Sequence, residues 1–85
     1  MPTGFTPLQG QYLAFIRAYI LIHRQAPAEA DMRNFFRVTP PTVHTMVLTL
    51  EKRGFIRRVP GIARSIQVLV PHDVLPHLED QAPDT

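Results

Sequence analysis

The sequence predicts a mainly α chain with a small β-hairpin: three helices plus a two-stranded wing, the winged helix-turn-helix layout. Three observations predict it. An amphipathic segment opens at Thr39-Pro40 and stops at Gly54. Two β-branched stretches, 55–59 and 66–70, follow it directly and are joined by a loop that starts at Pro60-Gly61. Two more helical segments precede it, separated by the break at Ala26-Pro27, and the short turn Arg37-Val38-Thr39 leads from the second into the third. This order offers one exposed helix face and one hairpin to the same ligand, usually duplex DNA.

Each element has a local cause. Thr6-Pro7-Leu8-Gln9 reads as a capping box, with Thr6 as cap, Pro7 in the first helical position and Gln9 able to reach back. The first helix then runs to His23 or Arg24, and Leu8, Tyr12, Phe15, Ile16, Tyr19 and Ile22 are expected to form its core stripe. Residues 1–5 are expected to be a loose leader. Pro27 disfavours helix at Ala26, so the second helix is short, 28–36, and depends on Met32, Phe35 and Phe36 for burial. In the third helix Thr39 is the expected cap and Pro40 the first residue. Around Val43, the side chains of Met46, Val47 and Leu50 fall within roughly 60° and make the inward stripe. Pro41, Thr45, Leu48 and Lys52 lie on the opposite face, with Thr42 and His44 on its flanks. Lys52 and Arg53 suit the carboxyl end of the helix dipole, and Gly54 supplies the left-handed stop. Pro71 ends the second strand. Val74, Leu75 and Leu78 are expected to make one amphipathic turn.

Composition narrows the function classes. With 85 residues and 45% apolar content the chain can build one core, and it has no cysteine for disulfides or thiolate metal sites. No apolar run approaches the roughly 18 residues of a membrane helix, and no secretory leader is legible, so a cytoplasmic protein is expected. Net charge is only +2, but it is unevenly placed. Residues 1–70, read as the DNA-binding domain, hold all nine Lys/Arg and three acids, a balance of +6. Residues 71–85, read as an acidic and partly disordered tail, hold four acids. A basic domain with an acidic tail fits a polyanion binder. The four histidines show no metal-ligand spacing, and neither paired carboxylates nor a nucleophile–base arrangement is present. An enzyme, a cofactor, a metal and a small-molecule ligand are therefore not expected.

The ordered set of pieces resembles the amino-terminal DNA-binding domain of LexA-type repressors over roughly residues 5–70. The pieces are Thr6-Pro7-Leu8-Gln9, Phe15-Ile16-Arg17, Ala26-Pro27 and Thr39-Pro40. Then come Leu50-Glu51-Lys52-Arg53-Gly54-Phe55-Ile56 and Gly61-Ile62-Ala63-Arg64-Ser65-Ile66. The resemblance implies a small bacterial regulator of the repressor type that occupies an operator, with Pro41, Thr42, His44 and Thr45 facing major-groove bases. It also implies that Thr39 and the wing around Arg64 meet the backbone. Repressors of this family carry a second domain that self-cleaves with a serine and a lysine. Here the one serine, Ser65, and the one lysine, Lys52, both fall inside the DNA-binding unit, so that activity is not expected of this chain. Arg33, Phe35 and Arg37 replace the small residues usual in the second helix, and Leu48 makes the reading face more apolar than is usual.

The chemistry of each candidate follows from its side chain. His44 can donate to guanine N7 or O6, Thr42 and Thr45 can bond bases or phosphates and touch thymine methyls, and Pro41 offers only shape. Arg64, among small residues with no acid near it in sequence, is the first candidate for the backbone. Arg57 and Arg58 alternate on a strand, so one should face solvent or DNA while the other lays its stem over the hydrophobic edge. Lys52 is a further backbone candidate. Gly10, Ala14, Ala18 and Leu21 form a second, smooth face on the first helix. That face is expected to pair two copies into a homodimer, unless the carboxyl tail packs there instead. The rival reading is a winged helix that docks on proteins without binding DNA, which the exposed Leu48 would favour.

Overall fold

The computed structural model describes residues 4–81. Its elements are α1 (Pro7–His23), α2 (Glu29–Phe36), α3 (Pro40–Lys52), β1 (Ile56–Arg57) and β2 (Gln67–Val68), followed by a 3-10 turn (His72–Val74). The strands pair antiparallel, Ile56 opposite Val68 and Arg57 opposite Gln67. Three helices and a two-stranded sheet in this order make a winged helix-turn-helix.

The helix ends follow local rules, with one exception. Thr6 Oγ1 accepts the Gln9 N–H at 3.1 Å while Gln9 Oε1 accepts the Thr6 N–H at 2.9 Å, the reciprocal pair of a capping box. α2 has Ala28 at its cap, and Asp31 supplies half of such a box by accepting the Ala28 N–H at 2.8 Å. α3 ends with Gly54 at φ +80, where the Gly54 N–H reaches Glu51 O at 3.0 Å and the Phe55 N–H reaches Leu50 O at 3.0 Å. That is a Schellman closure, and the sequence anticipated its glycine. The exception is Thr39. Its hydroxyl bonds the Thr42 hydroxyl at 2.9 Å and caps no backbone donor of α3. The physical reason is that Pro41 has no N–H to be capped and the Thr42 N–H turns to Thr39 O at 3.1 Å instead of to the hydroxyl.

The core joins Tyr12, Leu13 and Ile16 of α1 to Met32 and Phe36 of α2, Val43, Val47 and Leu50 of α3, and Ile56 and Ile66 of the wing. Tyr12 stacks on Phe36 at 4.0 Å, and Phe15 stacks on Phe35 at 4.7 Å. The inward stripe of α3 is as the period predicts, with Met46 only partly buried. For α1 the predicted stripe is rotated. Leu8 is 55% and Ile22 73% exposed, whereas Leu13 is fully buried and Ala14 nearly so. Nearly every side of this helix carries apolar residues, so periodicity alone did not fix which side faces inward.

Two further expectations give way at the chain's ends. Phe5 is not loose: its ring meets Phe55 edge-on at 5.9 Å and lies over Gly10, and Gly4 O accepts from Arg53 Nη2 at 2.8 Å. Residues 1–3 of the expected leader, and 82–85 of the expected tail, lie outside the described residues. The expected amphipathic turn is also replaced. After the short 3-10 turn, residues 75–81 run without regular structure along α1, leaving Val74 exposed and Leu75 and Leu78 half-buried. Gln11 holds them there through the backbone of His77 and Glu79.

The tail lies along the expected pairing face. A Cβ on Gly10 would meet Pro76 Cγ at 3.1 Å and Phe5 Cε1 at 2.9 Å, so a side chain there would collide with the tail and the leader. Ala14 is buried and Ala18 half-buried beside Leu75 and Leu78, leaving Leu21 as the one exposed member of Gly10, Ala14, Ala18 and Leu21. The small residues let this chain's own tail come close, the alternative occupant of this face.

Candidate nucleic-acid interface

The outward face of α3 carries Pro41, Thr42, Thr45, Leu48 and Lys52, all exposed. Glu51, the helix's own acid, is turned aside and accepts from Arg58 Nε at 3.1 Å. Among the described residues no carboxylate of α3 faces outward with these side chains. Thr45 also lines a shallow groove between α3 and the start of α1, with Gln9, Met46 and Thr49. Thr39 and Thr42 are linked at the amino end of the face, and a linked pair of hydroxyls still has lone pairs and one proton to offer.

His44 is on the flank of this face, 54% exposed, with Nδ1 3.1 Å from the Glu29 carboxylate on α2. Sequence reading missed Glu29 as its partner, because 15 residues separate them and the helix-turn-helix angle alone brings them together. An exposed pair of this kind contributes at most about 1 kcal/mol. Its larger effect is on geometry: with Nδ1 engaged, the ring is oriented and Nε2 is left without a partner among the described residues.

The wing differs from its expected form. Its ladder is two residues long on each side because the Val59 N–H turns to Ser65 Oγ at 2.9 Å instead of to backbone. Ser65 Oγ also lies 3.2 Å from Val59 O and 2.9 Å from Ile62 O, closing the loop. Arg57 and Arg58 diverge as alternation requires. Arg57 is exposed and donates to Gln67 Oε1 across the strands, while Arg58 is half-buried against Glu51.

Arg64 has partners that its neighbours in the chain do not announce. No acid is near it in sequence, but in space its Nη1 donates to Asp31 Oδ2 at 3.1 Å and to Tyr19 Oη at 3.0 Å. The hydrogen bond to Tyr19, with the charge of Asp31, holds the guanidinium pKa above its ordinary value. The side chain is folded back onto the helical body. What remains at the wing tip is Val59, Pro60, Gly61, Ile62 and Ala63, an apolar tip, although Arg64 was expected to present its charge there. The signal that could have found this was Asp31 itself, an acid three residues into a helix whose cap residue, Ala28, has no polar side chain.

Among the described residues there is no group of three or more His, Asp or Glu that could hold a metal ion. No helix among them is long and apolar enough to cross a membrane.

An arrangement of three helices, a wing and a third helix whose exposed outward face carries no acid of its own defines a winged helix-turn-helix, and comparison with known proteins identifies its family. The family described as LexA DNA binding domain matches residues 2–65, and the chain belongs to it. Over 64 residues it is 39% identical to the LexA repressor of Thermosipho africanus (strain TCF52B), covering 75% of this chain and 32% of that protein. It is 38% identical over 64 residues to the LexA repressor of Thermosipho melanesiensis, with the same coverage. To the LexA repressor of Magnetococcus marinus it is 35% identical over 66 residues, covering 78% of this chain and 29% of that protein. The chain thus spans about a third of the length of the relatives it matches.

Proposed function

We propose that this chain binds double-stranded DNA sequence-specifically as a transcriptional regulator of the repressor type, without catalysis, α3 entering the major groove and the wing running along the backbone. The observation that carries the reading is the acid-free outward face of α3, in a chain of the LexA DNA-binding family. Thr45, Thr42 and the free Nε2 of His44 supply hydrogen bonds to base edges, and Pro41 and Leu48 supply apolar contact with thymine methyls. Lys52, Arg57 and the hydroxyl of Thr39 meet phosphates. The apolar wing tip lies along the sugar–phosphate edge.

Two copies on a palindromic operator would double the roughly 600–1,000 Å² that a single module buries on DNA. Such a pair would meet through a surface other than the Gly10/Ala14/Ala18 face, which the tail covers. One observation favours the protein-docking alternative: Leu48 is 43% exposed at the middle of the reading face.

Selection of bound duplexes from a random library decides between the two, followed by titration of the selected duplex against salt. With Arg64 and Arg58 engaged inside the protein, Lys52 and Arg57 neutralise about two phosphates. The slope of log K against log[salt] should then be roughly −2 per domain. A library that yields no preferred duplex, or an affinity flat from low to moderate salt, favours docking.

A further inference from the structure

We propose that Asp31 and Tyr19 are positioning residues for DNA recognition: through Arg64 they clasp the wing to the helical body, and Arg64 is the bolt of that clasp, not a phosphate ligand. The inference rests on the duplex-binding reading.

Arg64 Nη1 is the meeting point of three parts of the fold. It donates to Tyr19 Oη on α1 at 3.0 Å, to Asp31 Oδ2 on α2 at 3.1 Å and to Ala26 O in the connection between those helices at 3.4 Å. The guanidinium carbon also lies 5.9 Å from the centre of the Tyr19 ring. Asp31 is itself fixed, because the same Oδ2 accepts the Ala28 N–H at 2.8 Å. Arg64 has φ +57, a left-handed backbone that a residue with a Cβ keeps only where its surroundings over-determine it.

The wing needs such a tie. Arg58 on Glu51 and the buried Ile56 and Ile66 hold the strand bases, the ladder ends at Arg57–Gln67, and Ser65 closes the loop onto itself, but none of these ties residues 59–64 to α1 or α2. Arg64 supplies that tie by joining the loop to both helices that support α3, and so restrains the outer part of the wing. A wing held at one angle meets the backbone without first losing rotational freedom, and ordering in advance of binding raises affinity.

Electrostatics alone gives the opposite sign for Asp31, which makes the inference testable. Removing an acid from a polyanion-binding surface should tighten binding. If the acid holds the wing, removing it should weaken binding. The measurements are duplex affinity on the selected site at several salt concentrations, and amide hydrogen exchange of residues 61–65 in the free protein. The variants are Asp31→Asn, Tyr19→Phe, Arg64→Ala and the Asp31→Asn/Arg64→Ala double variant.

The expected result is a loss of about fivefold or more for Asp31→Asn and a similar loss for Arg64→Ala. The double variant should be no weaker than the weaker single one, which is the mark of residues acting as one unit. Salt slopes should be unchanged, wing exchange should be faster in Asp31→Asn and Arg64→Ala, and Tyr19→Phe should show a smaller change of the same kind. Tighter binding by Asp31→Asn overturns the inference. So does a slope flattened by about one unit in Arg64→Ala with Asp31→Asn harmless, which makes Arg64 a phosphate ligand. Should Asp31→Asn fail to fold, Arg64→Ala decides through its slope and wing exchange. If the unmutated protein binds no duplex, the functional reading fails. Unaltered wing exchange in Arg64→Ala would then overturn the clasp separately.

Discussion

Gln11 and His77, 66 residues apart, are joined by a hydrogen bond from Gln11 Nε2 to the His77 carbonyl at 2.8 Å. The other end of the same side-chain amide accepts the Glu79 N–H at 2.7 Å. One glutamine on α1 therefore grips the tail backbone at both ends, as a neighbouring strand would, and holds Leu75, Pro76 and Leu78 over Gly10, Ala14 and Ala18. Gln11→Ala should release residues 77–81. The cost should be about 1 kcal/mol, the net worth of exposed and half-exposed hydrogen bonds. That corresponds to a melting point lower by roughly 4–8 °C in a domain of this size. The Glu79 amide should exchange faster in the same variant, and unchanged exchange there would mean that the apolar contacts hold the tail without Gln11.

The rotation of α1 is testable by contrast. Leu13 is fully buried, so Leu13→Ala should cost about 2–5 kcal/mol through lost transfer energy and a residual cavity. Ile22 is 73% exposed, so Ile22→Ser should change stability by no more than about 0.5 kcal/mol. Denaturant titration of both variants separates this orientation from the predicted stripe, in which Ile22 belonged to the core.

Reading face and backbone contacts should respond differently to mutation. Lys52→Ala should weaken binding to all duplexes alike and reduce the salt slope by about one unit. Thr45→Ala should cost roughly 1–3 kcal/mol on the selected site and less on others. His44→Ala should behave like Thr45→Ala. If Glu29 serves to orient the ring, Glu29→Gln should reproduce part of that loss on the selected site. Equal losses on all sequences for Thr45→Ala and Lys52→Ala would remove the division between groove and backbone.

Tyr12 should make stability fall at alkaline pH. Burial raises its phenol pKa above the ordinary 10.0 by penalising the charged form. Below pH 10 folded and unfolded chains both hold the proton, so the group has no effect there. Above it the unfolded chain releases its proton first, so stability should fall as pH rises through 10 towards the folded value. In Tyr19→Phe, Tyr12 is the one remaining tyrosine, and its ultraviolet titration should have a midpoint above 10. A midpoint at or below 10 would show that the phenol reaches water in the folded protein.

The sequence by itself determined what depends on neighbours in the chain. The capping box of Thr6 and Gln9, the Gly54 stop, the break at Ala26-Pro27, the inward stripe of α3 and the divergence of Arg57 and Arg58 all arise within a few residues. Short-range sterics and hydrogen bonding dictate them. Only the tertiary structure decided the rest. α1 is apolar on nearly every side, so the side that faces inward depends on where α2, α3, the leader and the tail bring their own apolar surface. Arg64 had no acid near it in the chain, and its partners Tyr19 and Asp31 lie 45 and 33 residues away. His44 met Glu29 in the same way, and small residues that suited a second copy were taken by the tail. In each case several partners were chemically acceptable. The one realised was the one the fold carried within hydrogen-bonding or van der Waals reach, and reach is set by the packing of distant segments, which no local pattern encodes.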